Sequence, residues 1–140
     1  MTLREEHKDL FTVDESYYLA HCIASDLRMG AGIAVPMQKI FDLRRQILAS
    51  GKHADGLTCI LTGRVFNLIT KRLSSGKPTH EALEFALIKM RKLVEAHGVK
   101  KIAMPKIGCG LDRLQWGKVK VSLQNVFKDT DVEILVCVWP

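Results

Sequence analysis

Two short glycine-containing loops, a lysine and an aspartate are the residues in this sequence whose types and spacing point to chemistry. The first loop is Arg28-Met29-Gly30-Ala31-Gly32-Ile33-Ala34, and the second is Pro105-Lys106-Ile107-Gly108-Cys109-Gly110-Leu111-Asp112. Glycine has no Cβ, so the backbone N–H groups around it can approach a phosphate closely. A helix starting behind such a loop adds N–H donors without intrahelical partners and a partial positive charge. Two such loops on one sheet edge would clasp a diphosphate from both sides. Glycine in a strand-to-helix turn also serves plain turn chemistry, so neither G-x-G carries the reading alone. Neither loop has the G-x-x-x-x-G-K-[ST] pattern of a P-loop or the G-x-G-x-x-G dinucleotide fingerprint, which argues against an ordinary ATPase or dehydrogenase.

Lys71 follows the apolar run Asn67-Leu68-Ile69-Thr70. A lysine there caps a strand in solvent or, if desolvated or set beside a cation such as Arg72, serves as an amine nucleophile. It leaves the sheet beside the glycine loops only if its strand points the same way as theirs. Asp112 closes the second loop. It is either the N-cap of a following helix over 113–127 or a carboxylate able to move protons beside a lysine. His21, within an apolar strand, reads as a core histidine. Trp139 is either core or an aromatic face for a base.

The elements that must position these residues alternate. Strands are predicted over 2–7, 17–23, 57–61, 64–69, 101–104 and 132–139. Residues 30–50 are a glycine loop followed by one helix carrying Ile33, Met37, Ile40, Phe41, Ile47 and Leu48, with Pro36 in its first turn and Gly51 as its stop. Thr62-Gly63 signals a hairpin, so one strand pair is antiparallel and the sheet is mixed. Pro78-Thr79 opens an amphipathic helix with Leu83, Ala86, Leu87, Met90, Leu93 and Val94 on one stripe, and Gly98 ends it. A last helix over 115–127 buries Val119, Leu123, Val126 and Phe127. Helices alternating with buried strands predict a three-layer α/β domain, whose ligands bind at the carboxyl ends of the strands.

With 140 residues, the chain is read as a single domain over 1–140. Its net charge of +6 and pI of about 9.3 favour anionic partners, although Lys and Arg are spread rather than clustered. No apolar run approaches the roughly 20 residues of a membrane span, and the charged N-terminal stretch does not read as a signal peptide. Cys22, Cys59, Cys109 and Cys137 are widely spaced without a C-x-x-C pair. Reduced thiols in an intracellular setting, nuclear or cytoplasmic, are therefore expected, with neither disulfide framework nor metal site. No apolar stripe is left over once the core is assigned, so a monomer is expected.

Ala20-His21-Cys22-Ile23, the first loop with Val35, Leu68-Ile69-Thr70-Lys71, and the block from Met104 through Gln115-Trp116 together resemble the macrodomains, specifically their terminal ADP-ribose protein glycohydrolase (O-acetyl-ADP-ribose deacetylase) subfamily. The resemblance runs from Leu3 to Trp139. It implies a three-layer α/β/α fold with a mixed sheet of about six strands that binds ADP-ribose without a cofactor or metal. It further implies that Lys71 attacks the anomeric carbon of the distal ribose after release of a linked carboxylate, and that Asp112 is the acid/base that resolves the lysyl adduct. The reactions implied are removal of ADP-ribose from glutamate or aspartate esters and deacetylation of O-acetyl-ADP-ribose. The partners implied are ADP-ribosylated proteins and, in related members, ADP-ribosylated nucleic acid. By the same resemblance Asp9 and Leu10 hold the adenine, with Trp139 near it. Gly30, Ala31, Gly32, Ile33 and Ala34 form the first phosphate loop. Lys106, Ile107, Gly108, Cys109, Gly110 and Leu111 lead to Asp112 in the second. The chain departs from the subfamily at Lys8, where a glycine is common, and at Ala24, where a serine is. A rival function is a module that binds ADP-ribose in the same pocket without turning it over.

Overall fold

The computed structural model describes residues 1–110 and 112–138, and the side chains of all of these except Ala54 and Asp55. Six strands form one sheet in the order β1-β6-β5-β2-β4-β3: β1 Thr2–His7, β2 Tyr18–Ala24, β3 Thr58–Thr62, β4 Val65–Lys71, β5 Lys101–Met104 and β6 Glu133–Val138. β3 is antiparallel to β4, through a turn in which Gly63 takes φ +56°, and the other pairings are parallel. The mixed sheet expected from Thr62-Gly63 is present.

Side chains of a strand alternate between its two faces, and here the alternation sorts the apolar residues into two cores. Phe66 and Leu68 of β4, Ile102 and Met104 of β5, and Ile134 and Val136 of β6 pack with Leu83, Leu87, Met90, Leu123 and Phe127. These last belong to α3 (His80–His97) and α4 (Trp116–Phe127). On the opposite face Leu19, Val65, Ile69, Ala103 and Leu135 pack with Met37, Leu43 and Ile47, from α1 (Ala34–Phe41) and α2 (Leu43–Ser50). The result is the α/β/α sandwich. Thr79 caps α3, its hydroxyl accepting from the Ala82 amide at 3.0 Å, and Gly98 ends it at φ +62°. Among the described residues no helix is long and apolar enough to cross a membrane.

The single helix predicted across 33–48 is instead α1 and α2, separated by Asp42 at φ +50°. A left-handed residue ends a right-handed helix, and aspartate tolerates that conformation better than most. The break turns Leu43 and Ile47 inward beside Met37, and leaves Ile40 and Leu48, which the single helix would have placed on its stripe, 55% and 52% exposed. Side chains satisfy the backbone groups it frees: Gln38 accepts from the Arg44 amide at 2.8 Å, and Gln46 donates to the Phe41 carbonyl at 2.7 Å. A 3-10 turn over Leu10–Thr12, which periodicity does not predict, follows β1.

His21 is buried as expected. Its Nε2–H donates to Asn67 Oδ1 at 2.7 Å, and Asn67 donates to the Ile60 carbonyl and the Thr62 hydroxyl. Burial pushes the His21 ring down to about 4, the Asn67 bond opposing the shift. An unfolded histidine titrates near ~6.5. The unfolded chain therefore binds the extra proton between these values, and stability falls as pH drops through that window, by up to about 3 kcal/mol. Urea midpoints measured from pH 7 to pH 4 should show this slope from pH 6.5 downward, and a His21→Gln variant should lack the part above pH 5.

Candidate functional site

β2 lies between β5 and β4, and all three are parallel. Their carboxyl ends, Ala24, Met104 and Lys71, therefore reach one edge of the sheet. The first glycine loop leaves β2 there, the second leaves β5, and the loop from β4 to α3 lies on the other side of β2. The condition set on Lys71 is met: its strand runs with the strand that feeds the first loop.

The first loop is held from behind. Leu27 and Met29 are buried at φ +57° and +47°. Arg44 of α2 donates to the carbonyls of Leu27 at 2.8 Å and Arg28 at 2.7 Å. Ile33 precedes α1 without a side-chain cap; in the first turn the Val35 amide donates to the Gly32 carbonyl at 3.3 Å and Pro36 has no N–H, which leaves the Ala34 N–H without an intrahelical partner. The second loop closes on itself: the Cys109 amide donates to the Lys106 carbonyl at 3.2 Å and the Leu114 amide to the Gly108 carbonyl at 2.7 Å. Gly108 sits at φ +73°, with Leu114 Cδ1 2.8 Å from where a Cβ would stand.

Between the loops runs a trough of two joined cavities. One, about 970 Å³, is lined by Gly30, Ala31, Gly32 and Ala34 of the first loop, by Ile107, Gly108 and Gly110 of the second, and by Lys71 and Asp112. The other, about 630 Å³, is lined by Asp9, Leu10, Phe11, Pro36, Cys109 and Val138. Ile33, Pro105, Lys106 and Gly110 line both. The trough thus runs from a mostly apolar end beside Asp9, past two phosphate-sized loops, to a lysine and a carboxylate. Leu111 and Trp139 lie outside the described residues.

Lys71 Nζ donates to Asp112 Oδ1 at 2.6 Å and to the Gly76 carbonyl at 3.3 Å. The two side chains of the ion pair are only 15% and 16% exposed. Asp112 is not the helix cap that its position suggested. α4 starts at Trp116, after Gln115, and Arg113 at φ +60° turns the backbone between Asp112 and the helix. A carboxylate drawn to an ammonium gains a charge-assisted hydrogen bond, which a cap on a later helix could not also supply. Cys22 also lines this cleft. Burial, reinforced by the charge of Asp112, pushes its thiol up to about 12, and burial raises Cys109 as well. Thiolates are thereby disfavoured at this end of the cleft. Among the described residues no three His, Cys, Asp or Glu side chains gather as a metal-binding group.

Asp9 caps the Leu10–Thr12 turn, Oδ1 accepting from the Phe11 amide at 3.0 Å, with Leu10 buried beneath it. Ala24 is buried and lines the larger cavity. The neighbouring Ser25 hydroxyl is turned to the Arg72 carbonyl at 3.0 Å. The sequence reading overlooked the segment from Ser74 to Lys77, which lines the cleft opposite the second loop. Its signal was the Ser74-Ser75-Gly76 run that starts three residues after Lys71, a turn composition.

This architecture, with its trough at the carboxyl ends of parallel strands, defines a macrodomain, and the comparisons agree. The Macro domain family matches residues 58–122. The chain is 43% identical over 130 residues to "ADP-ribose glycohydrolase OARD1" of Homo sapiens, covering 91% of this chain and 86% of the human protein. It is 42% identical to the Bos taurus protein of the same name, with the same coverage. The chain belongs to the macrodomain family. The solved macrodomain of Thermus aquaticus DarG shares the fold with a TM-score of 0.82 at 22% identity, over 97% of each chain.

Proposed function

We propose that this protein is an ADP-ribosyl hydrolase that releases mono-ADP-ribose from glutamate or aspartate esters and deacetylates O-acetyl-ADP-ribose, with Lys71 as nucleophile and Asp112 as acid/base. The relatives at 42–43% identity are named as ADP-ribose glycohydrolases, which supports hydrolysis as the reaction class. The observation that carries the finer reading is the Lys71–Asp112 pair at 2.6 Å, set at the end of a trough walled by two glycine loops.

In this reading Asp9 and Leu10 take the adenine, residues 30–34 and 106–110 take the diphosphate through backbone N–H groups, and the distal ribose reaches the pair. The bond between the anomeric carbon and the carboxylate breaks, its electrons leaving with the carboxylate. Lys71 gives its proton to Asp112 and forms a bond to the same carbon. Asp112 passes that proton to the departing carboxylate, and the ionised Asp112 then takes a proton from water as that water displaces the lysine, which leaves as the amine. The cleft accepts any leaving group that presents the same ribose, so protein esters are the proposed partners in an intracellular setting. Modified nucleic acid is an accessory substrate.

Incubation of the protein with glutamate-modified protein, alongside calorimetry with ADP-ribose, tests this. Release of ADP-ribose and recovery of the free carboxylate are expected. Tight binding without release would make the protein a reader of ADP-ribose.

A further inference from the structure

The loop from β4 to α3 enters the cleft without a motif, yet one residue from across the sheet edge holds it. Asp26, just past β2, accepts from the Ser74 amide at 2.7 Å, from the Ser74 hydroxyl at 2.7 Å and from the Arg28 amide at 3.1 Å. Ser74 is the second residue of a turn closed by the Gly76 amide donating to the Leu73 carbonyl at 2.9 Å. The same turn aims the Gly76 carbonyl at Lys71 Nζ. We propose that Asp26 is a positioning residue for the reaction described above, holding the Leu73–Gly76 turn so that its carbonyl fixes the Lys71 amine opposite Asp112.

The inference rests on Lys71 being the nucleophile. Its ammonium has two acceptors, Asp112 in one loop and Gly76 in another, and only the second remains to orient the nitrogen once Asp112 takes the proton. The turn is built from short polar residues and glycine, which do not hold one conformation unaided. Asp26 supplies the anchor with a carboxylate that burial alone would push up, but that the Ser74 and Arg28 hydrogen bonds hold below its usual value. Apart from that bond to the Arg28 amide, the rest of the site is anchored independently of it. Arg44 holds the first loop, and main-chain bonds from Ser25 to the Lys71 carbonyl and from Asp26 to the Arg72 carbonyl fix the root of the turn.

Steady-state kinetics of wild type, Asp26→Ala, Asp26→Asn and Ser74→Ala on a glutamate-linked ADP-ribosyl substrate test the proposal, with Lys71→Ala as the inactive reference. A misplacement of about 1 Å costs up to roughly 100-fold, so kcat of Asp26→Ala should fall about 10- to 100-fold, with ADP-ribose affinity within about threefold. Asp26→Asn keeps one acceptor oxygen and should recover most of kcat. A folded Asp26→Ala with unchanged kcat, or with a raised KM alone, overturns the proposal. If Asp26→Ala does not fold, Ser74→Ala decides: a smaller fall in kcat supports the proposal, and wild-type kcat overturns it. An inactive wild type overturns the functional reading itself, an outcome distinct from active wild type with indifferent Asp26.

Discussion

Asp112→Ala is expected to lower turnover by about three orders of magnitude and to leave ADP-ribose covalently attached to Lys71. Acid–base groups contribute roughly 10²- to 10⁴-fold, and this carboxylate serves twice, taking the lysine proton and later activating water. Without it Lys71 keeps only the Gly76 carbonyl at 3.3 Å as partner. The amine then loses its proton to solvent, slowly, and attack still occurs. Resolution is worse affected, because among the described residues no other carboxylate lines the larger cavity to prepare the water. The adduct therefore accumulates. Intact-mass and peptide mass spectrometry after incubation with substrate would locate it on Lys71. Wild-type turnover by this variant, with no adduct, would contradict both assigned roles.

Gly108→Ala should fail in the opposite way, losing the ligand rather than the chemistry. Gly108 lies at φ +73°, and the added Cβ would stand 2.8 Å from Leu114 Cδ1. The left-handed backbone alone costs about 1–2 kcal/mol for a residue with a Cβ. Leu114 cannot simply swing away, since it packs against the core beneath α3 and α4 and its amide is bonded to the Gly108 carbonyl at 2.7 Å. The loop must shift, and its N–H groups with it. One or two charge-assisted hydrogen bonds to a diphosphate are lost, a drop of roughly 10- to 100-fold in affinity. Calorimetry with ADP-ribose checks this, paired with a thermal melt to separate unfolding from loop displacement. Affinity equal to wild type would remove this loop from the diphosphate site.

The contrast between these variants reflects how the site is divided between local and distant information. The two glycine loops were legible because each lies within a few residues and carries its chemistry in its own backbone. The strands were legible by composition, and the Thr62-Gly63 turn correctly made one pair antiparallel. What could not be read was set by packing or by long-range pairing. Asp42 breaks a helix that periodicity makes continuous, because Leu43 and Ile47 bury better after the turn. Asp112 also suited the cap of a helix, and only the parallel run of β5, β2 and β4 brings Lys71, 41 residues away in sequence, to it. The pairing of Asp26 with Ser74, 48 residues apart, carries no local pattern. Their pairing exists only because β2 and β4 are neighbours whose ends coincide.

The assignment of Lys71 as nucleophile is tested most directly by ADP-ribose release from glutamate-modified protein by wild type and Lys71→Ala side by side, with ADP-ribose binding measured on both. Release by wild type, loss of at least about three orders of magnitude in the variant, and similar affinity in both are expected, because the proposed diphosphate contacts are made by backbone N–H groups and not by Lys71. Release by Lys71→Ala at the wild-type rate would contradict it.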